Sequence, residues 1–382
     1  MSDFIFKISP NVVLGSYSIN RLGQYLLEWG TRFMIIMDPI LNEVNLSDKI
    51  TKTLDDRKIG YFIFNEITDG SNTKNIQRAL SLAKEGHIQG IIGIGGTKAM
   101  NISRTVSALY NEVHDLYTFV DGATPITNPL PCICIPTTYR TPYIFTTEIP
   151  VIDSRSTEIK LLKIQNSVCK LLLIDTNMMV TLTENQKATL SIEILCMAIE
   201  AYISQKANFF SDMFVEKGLE LLSFAMNGAT SLDITTPEEE LLSQAGCLIS
   251  LAASCSSLGL SSLLALSINS KYRLNKSLVT AILLPYAMED VAKYKSAKLE
   301  KLAHTMKIIP DNVEHEEAIT SFIEYVRQYM AKANLPTRLK DLQLTIEQLS
   351  LCVENISKID IFSKLPRSMS TDDLFDFIKL AY

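Results

Sequence analysis

The chain has 382 residues, 47% of them hydrophobic and 20% charged, with a formal net charge of −6. That composition describes a globular chain long enough for two domains, and it excludes an intrinsically disordered one. The negative balance, with no Lys/Arg cluster to override it, argues against a nucleic-acid partner. No apolar run approaches the roughly 20 residues that span a bilayer, so no membrane partner is expected.

The opening Met1-Ser-Asp-Phe-Ile-Phe-Lys7 lacks a basic region followed by a long apolar core, so it does not read as a secretory signal. Seven cysteines, an odd number scattered through apolar runs, read as free thiols in a reducing compartment. Cys132 and Cys134 lie two apart and share a strand face rather than forming a CxxC site. A cytoplasmic protein is expected.

In chain order, residues 4–13 carry Phe4, Phe6 and Ile8 in alternation and predict an edge strand ending at Gly15. Ile19 to Trp29 predicts a helix stopped by Gly30, and Phe33–Met37 a buried strand ending in Asp38. An acidic residue at a strand's carboxyl end either holds a ribose hydroxyl or caps the helix that follows. A helix over 48–57, a strand over 61–64 and a helix over 72–85 then lead to the apolar run Ile91-Ile-Gly-Ile94. This run reads as a buried parallel strand. It turns through Gly95-Gly96 into a helix with Ala99, Ile102, Val106 and Leu109 on one face. A strand, a glycine turn and a helix N-terminus make an anion site, to which Lys98 adds a positive charge; plain tight packing is the competing reading.

Leu130–Pro136 reads as another strand, followed by the hydroxyls of Thr137, Thr138 and Thr141, and two further strands are expected at 148–153 and 168–175. Alternating strands and helices argue for a parallel, doubly wound sheet. From about Leu182 the strands stop. Thr183-Glu-Asn-Gln186 forms a capping box that opens a helix to about Ser204. Helical runs follow at 212–227, 238–257, 259–271, 277–293, 296–306, 312–333 and 345–354. The expected organisation is therefore an α/β dinucleotide-binding domain over residues 1–178 and an all-α domain over 179–382.

Four segments, in order, carry a resemblance. They are Gly93-Ile-Gly-Gly-Thr-Lys-Ala-Met-Asn-Ile-Ser-Arg104, Pro136-Thr-Thr-Tyr-Arg-Thr141, Ala198-Ile-Glu-Ala-Tyr202 and Ala281-Ile-Leu-Leu-Pro285. Together they resemble the iron-containing alcohol dehydrogenase and glycerol dehydrogenase superfamily over nearly the whole chain, with Lys98 more like the glycerol dehydrogenase branch. The resemblance implies the dehydroquinate synthase-like fold of that superfamily, a nicotinamide dinucleotide on the glycine turn and a divalent metal in the helical domain. Carried over position by position, Asp38 matches the residue at the adenosine ribose, which implies NAD rather than NADP. Gly95, Gly96, Thr97 and Lys98 match the pyrophosphate loop, and Thr137, Thr138 and Thr141 the threonine segment. Tyr139 and Arg140 replace small residues, which narrows or closes the crevice.

The family's metal ligands, an aspartate and three histidines, correspond here to Glu193, Met197, Ser262 and Lys276. The four histidines, His87, His114, His304 and His315, match none of these positions. Cys196, three residues from Glu193, is a remote further donor. No metal is therefore expected. Lys276, held by Glu193, is either a cationic electrophile in the metal's place or a structural ion pair. Three classes follow. The first is an NAD-dependent dehydrogenase of a small alcohol, polyol or aldehyde, in which a homo-oligomer is compatible with the chain. The second is a catalytically inactive protein that keeps the fold for nucleotide binding or assembly. The third is a cyclase resembling dehydroquinate synthase, which the same ligand losses disfavour.

Overall fold

The apolar runs of the first half pair into one parallel sheet. The computed structural model describes residues 9–67, 70–227, 236–310, 312–359 and 365–382. In chain order the first half carries β1 (Asn11–Leu14), α1 (Leu22–Leu26), β2 (Arg32–Met37), α2 (Ile40–Glu43) and α3 (Leu46–Asp55). It continues with β3 (Gly60–Phe64), α4 (Thr73–Glu85), β4 (Gly90–Gly95), α5 (Thr97–Leu109) and α6 (Leu116–Val120). The last four elements are β5 (Cys132–Pro136), β6 (Glu148–Asp153), β7 (Glu158–Lys163) and β8 (Cys169–Ile174).

Six of these strands form a sheet in the order β1-β8-β5-β4-β2-β3, with every pairing parallel. Every residue of β4 and β5 is buried, which is why these strands read as unbroken apolar runs. From β2 the chain crosses to β3 on one side, then returns to β4 on the other. The carboxyl ends of β2 and β4 therefore flank the point where the winding reverses, the place where open α/β sheets bind ligands. The edge strand expected over residues 4–13 appears as β1, while residues 4–8 lie outside the described residues.

A two-stranded antiparallel sheet, β6 with β7, was not fully legible: β6 is expected from sequence but β7 is not. Its sequence, Glu158-Ile-Lys-Leu-Leu-Lys163, is half-exposed and mixes charges with apolar residues, so it gives neither a clean alternation nor an apolar run.

The second half carries α7 (Glu184–Ile203), α8 (Phe209–Asn227), α9 (Glu238–Cys255), α10 (Leu260–Tyr272), α11 (Lys276–Thr305), α12 (His315–Lys332), α13 (Ile346–Ser357) and α14 (Thr371–Ala381). Among the described residues no strand follows Ile174. The Thr183–Gln186 capping box forms as expected at the start of α7. The helices expected at 277–293 and 296–306 are the two arms of α11, which meet at a kink where Lys295 leaves the helical conformation. The two halves are separate compact units, Met1–Thr181 and Leu182–Tyr382, so the division falls after 181, beyond the expected 178. Among the described residues no single helix is long and apolar enough to cross a membrane. All seven cysteines are free.

Candidate functional site

In the first unit, Asp38 follows β2 and Gly96 follows β4, and adjacent parallel pairing brings the two together. The Gly96 N–H donates to Asp38 Oδ2 at 2.6 Å. Gly95 has φ +143°, a conformation that disfavours any side chain, and a Cβ there would overlap the Asp38 carboxylate. Lys98, on the first turn of α5, places Nζ 3.3 Å from Asp38 Oδ1. The N-cap residue of α5, Gly96, has no side chain with which to cap it. The Asp38 carboxylate therefore occupies the helix-start position where free N–H groups favour an anion. Both readings offered for Asp38 bear on this: it sits at the strand end, and its carboxylate caps α5 rather than the helix that follows it in sequence.

The threonine segment lies against the same turn. The Thr137 N–H donates to the Gly95 carbonyl at 3.0 Å, which extends the β4–β5 ladder past the strands. Arg140, buried to 6% exposure, donates through Nη1 to Thr97 Oγ1 at 2.9 Å and to Thr138 Oγ1 at 3.4 Å. Thr97 and Thr138 are thus joined through a guanidinium. Thr141 is buried, and its carbonyl accepts from the Ile144 N–H as the chain turns away. Arg140 carries no role in the sequence reading beyond narrowing the crevice; a charged residue amid buried hydroxyls was the signal for it.

Arg104, which closes the glycine motif and stands where the resemblance implies a lysine, is a second such residue. Its guanidinium donates to the Tyr143 carbonyl at 2.6 Å and the Thr146 carbonyl at 2.5 Å, so α5 clamps the loop that follows the threonines. Burial lowers its pKa below the ordinary guanidinium value.

In the second unit, Glu193, Met197 and Glu200 follow one stripe of α7, at spacings of four and seven residues. Lys276 opens α11 and places Nζ 2.6 Å from Glu193 Oε1, with side-chain exposures of 11% and 0%. A lysine at a helix start opposes the helix dipole, so the Glu193 carboxylate is what makes that position tenable. Ser262, near the start of α10, donates its N–H to Glu200 Oε1 at 3.1 Å. Ser261 Oγ, Ser262 Oγ and Glu200 Oε2 are all buried. Burial, followed by the Glu200 and Glu193 carboxylates, pushes the Cys196 thiol well above its ordinary range. Burial also raises Glu200, against hydrogen bonds from Ser262 and from the Gly259 and Ser261 backbone.

This set does not fit a divalent metal. A thioether is a weak ligand for hard or borderline ions, a neutral hydroxyl is poor, and a lysine ammonium has no lone pair. Among the described residues no group of three or more His, Cys, Asp or Glu could hold a metal ion. His87, His114 and His315 are exposed and His304 is half-buried, and His315 pairs with Glu300.

Comparison with known proteins covers both units. The family model "Iron-containing alcohol dehydrogenase" matches residues 9–176, and "Fe-containing alcohol dehydrogenase family, C-terminal" matches 187–382. Alcohol dehydrogenase 4 of Saccharomyces cerevisiae (strain ATCC 204508 / S288c) is 23% identical over 379 residues, covering 99% of this chain and 98% of the relative. The NAD-dependent methanol dehydrogenase of Bacillus methanolicus is 21% identical over 389 residues, 98% of this chain and 99% of the relative. The solved structure of a 1,3-propanediol oxidoreductase has the same fold, with a TM-score of 0.90 at 20% identity and full coverage of both chains.

Proposed function

This chain belongs to the iron-containing alcohol dehydrogenase family, and on that premise we propose that it is an NAD-dependent, metal-free oxidoreductase of a small alcohol, polyol or aldehyde. The carrying observation is the 2.6 Å Lys276–Glu193 pair at positions where the family resemblance implies metal ligands. A bound nicotinamide supplies the hydride. Asp38, Gly95, Gly96, Thr97 and Lys98 form the turn that receives the dinucleotide, with Thr137, Thr138 and Thr141 beside it, and the Asp38 carboxylate favours a ribose with a free 2′-hydroxyl.

Lys276 takes the electrophile's part. Its ammonium stabilises negative charge as it develops on the substrate oxygen and passes a proton to that oxygen, completing the alcohol. Solvent returns the proton to Nζ. Glu193 orients Lys276 through the 2.6 Å contact, and a glycerol-type polyol is the substrate class to try first, alongside simple aldehydes. The protein is placed in the cytoplasm, with no nucleic-acid or membrane partner. The test is NADH-dependent reduction of an aldehyde panel by chelator-treated protein, with Lys276→Met as the control. Activity that requires added metal would overturn the reading.

One observation favours a second reading. Arg140 already engages Thr97 and Thr138, and Asp38 already engages the Gly96 N–H. A catalytically inactive protein that keeps the fold for nucleotide binding or assembly fits that occupancy. Cofactor binding without turnover of any member of the panel would select it.

A further inference from the structure

We propose that Lys98 sets how sharply the glycine turn separates NAD from NADP. The proposal rests on the reading of this turn as a dinucleotide site. Asp38 divides its carboxylate: Oδ2 accepts from the Gly96 N–H at 2.6 Å, and Oδ1 faces Lys98 Nζ at 3.3 Å. The Asp38 side chain is 10% exposed and that of Lys98 38%, so Lys98 is the more solvent-accessible member of the pair. A group arriving at Oδ1 from solvent meets Lys98 with it. A Cβ on Gly96 would make only ordinary van der Waals contacts, with Asp38 Oδ2 at 3.6 Å and Thr138 Cγ2 at 3.9 Å, so the pair can be approached closely at this turn.

The two cofactor types meet this pair differently. A ribose with a free 2′-hydroxyl donates to a carboxylate oxygen, and Lys98 competes with it for Oδ1. A 2′-phosphate is repelled by a lone carboxylate. Beside a carboxylate–ammonium pair of nearly zero net charge it meets much less repulsion, and Lys98 can swing from Oδ1 onto the phosphate oxygens. A flexible ammonium with three donors suits that exchange. Lys98 thus supports NADP binding more than NAD binding, so Asp38 alone overstates the selectivity of the site.

The experiment is fluorescence titration of the intact protein with NADH and NADPH, for the wild type, Lys98→Met and Lys98→Arg. The wild type is expected to favour NADH by less than about tenfold. Lys98→Met is expected to weaken NADPH at least about tenfold more than it weakens NADH, and Lys98→Arg to restore the wild-type ratio. A structural role for Lys98 would move both affinities together. An unchanged NADH-to-NADPH ratio in Lys98→Met overturns the proposal. Failure of the wild type to bind either cofactor overturns the dinucleotide reading itself, and the role of Lys98 with it.

Discussion

Lys276 Nζ stands 2.6 Å from Glu193 Oε1, an ammonium beside a wholly buried carboxylate in the helical half of the chain. A dication brought to about 4 Å from that ammonium meets roughly 4 kcal/mol of repulsion per unit of its charge at an effective dielectric of about 20. Protein purified without chelator is therefore expected to carry no stoichiometric zinc, iron or nickel, and added metal to leave its melting temperature unchanged. Elemental analysis finding close to one ion per chain, lost in Glu193→Ala, would refute this. Met197→His, Ser262→His and Lys276→His combined is the converse experiment, expected to give a protein that retains zinc through dialysis.

Gly95 is the position on which the glycine turn depends. Its φ of +143° and the carboxylate of Asp38 packed over it leave no place for a methyl group. Gly95→Ala is expected to weaken NADH binding by about 100-fold, roughly 3 kcal/mol, through displacement of Asp38 from the Gly96 N–H. Titration checks it, and binding within threefold or so of the wild type would show that the turn does not hold the cofactor.

Glu200 gives the helical unit a pH signature. Its ordinary value is 4.5 and burial raises it in the fold. Above 4.5 the unfolded chain releases this proton while the folded one still holds it, so stability falls as pH rises through the folded value and then levels. Glu200→Gln removes the titration while retaining an oxygen for the Ser262 N–H. Wild-type stability relative to Glu200→Gln is expected to decline from pH 4.5 towards neutrality in urea unfolding. A constant difference across that range would mean that Glu200 titrates alike in both states.

Thr183 starts the helix that carries Glu193. Its side chain accepts from the Gln186 N–H at 3.3 Å, and Gln186 reciprocates at 2.9 Å to the Thr183 N–H. Thr183→Ala is expected to cost about 1 kcal/mol, read as a melting point lower by about 2–4 °C. No change would show that the first turn is held by packing alone.

How much was legible depended on the distance over which each feature is built. The buried strands and the capping box are local patterns, and Ile91–Ile94 or Thr183–Gln186 announce themselves. The Asp38–Gly96 bond joins residues 58 apart and appears only once β2 lies beside β4. The sequence offered Asp38 as a ribose contact or as a cap for the helix from Pro39 onward, and its carboxylate instead accepts from the Gly96 N–H at the start of α5. The ion pair of Lys276 with Glu193 followed from the resemblance rather than from spacing. β7 was missed because a half-exposed hairpin strand carries no single periodicity, whereas the break between the runs 277–293 and 296–306 was legible and is the kink at Lys295.

β1 pairs with β8 and with no other strand, from Asn11 opposite Leu171 to Leu14 opposite Ile174. Asp175 then accepts the N–H groups of Tyr17 and Ile19, and Ser9 donates to the Cys169 carbonyl across 160 residues of chain. A ribosome making this protein thus releases β1 first and its partner only when the first unit is nearly complete. Until Ile174 has emerged, β1 is unpaired and β5 presents a bare edge to other nascent chains. Pulse proteolysis of stalled chains should find β2, β3 and β4 protected before β1, with β1 gaining protection in one step as β8 leaves the tunnel.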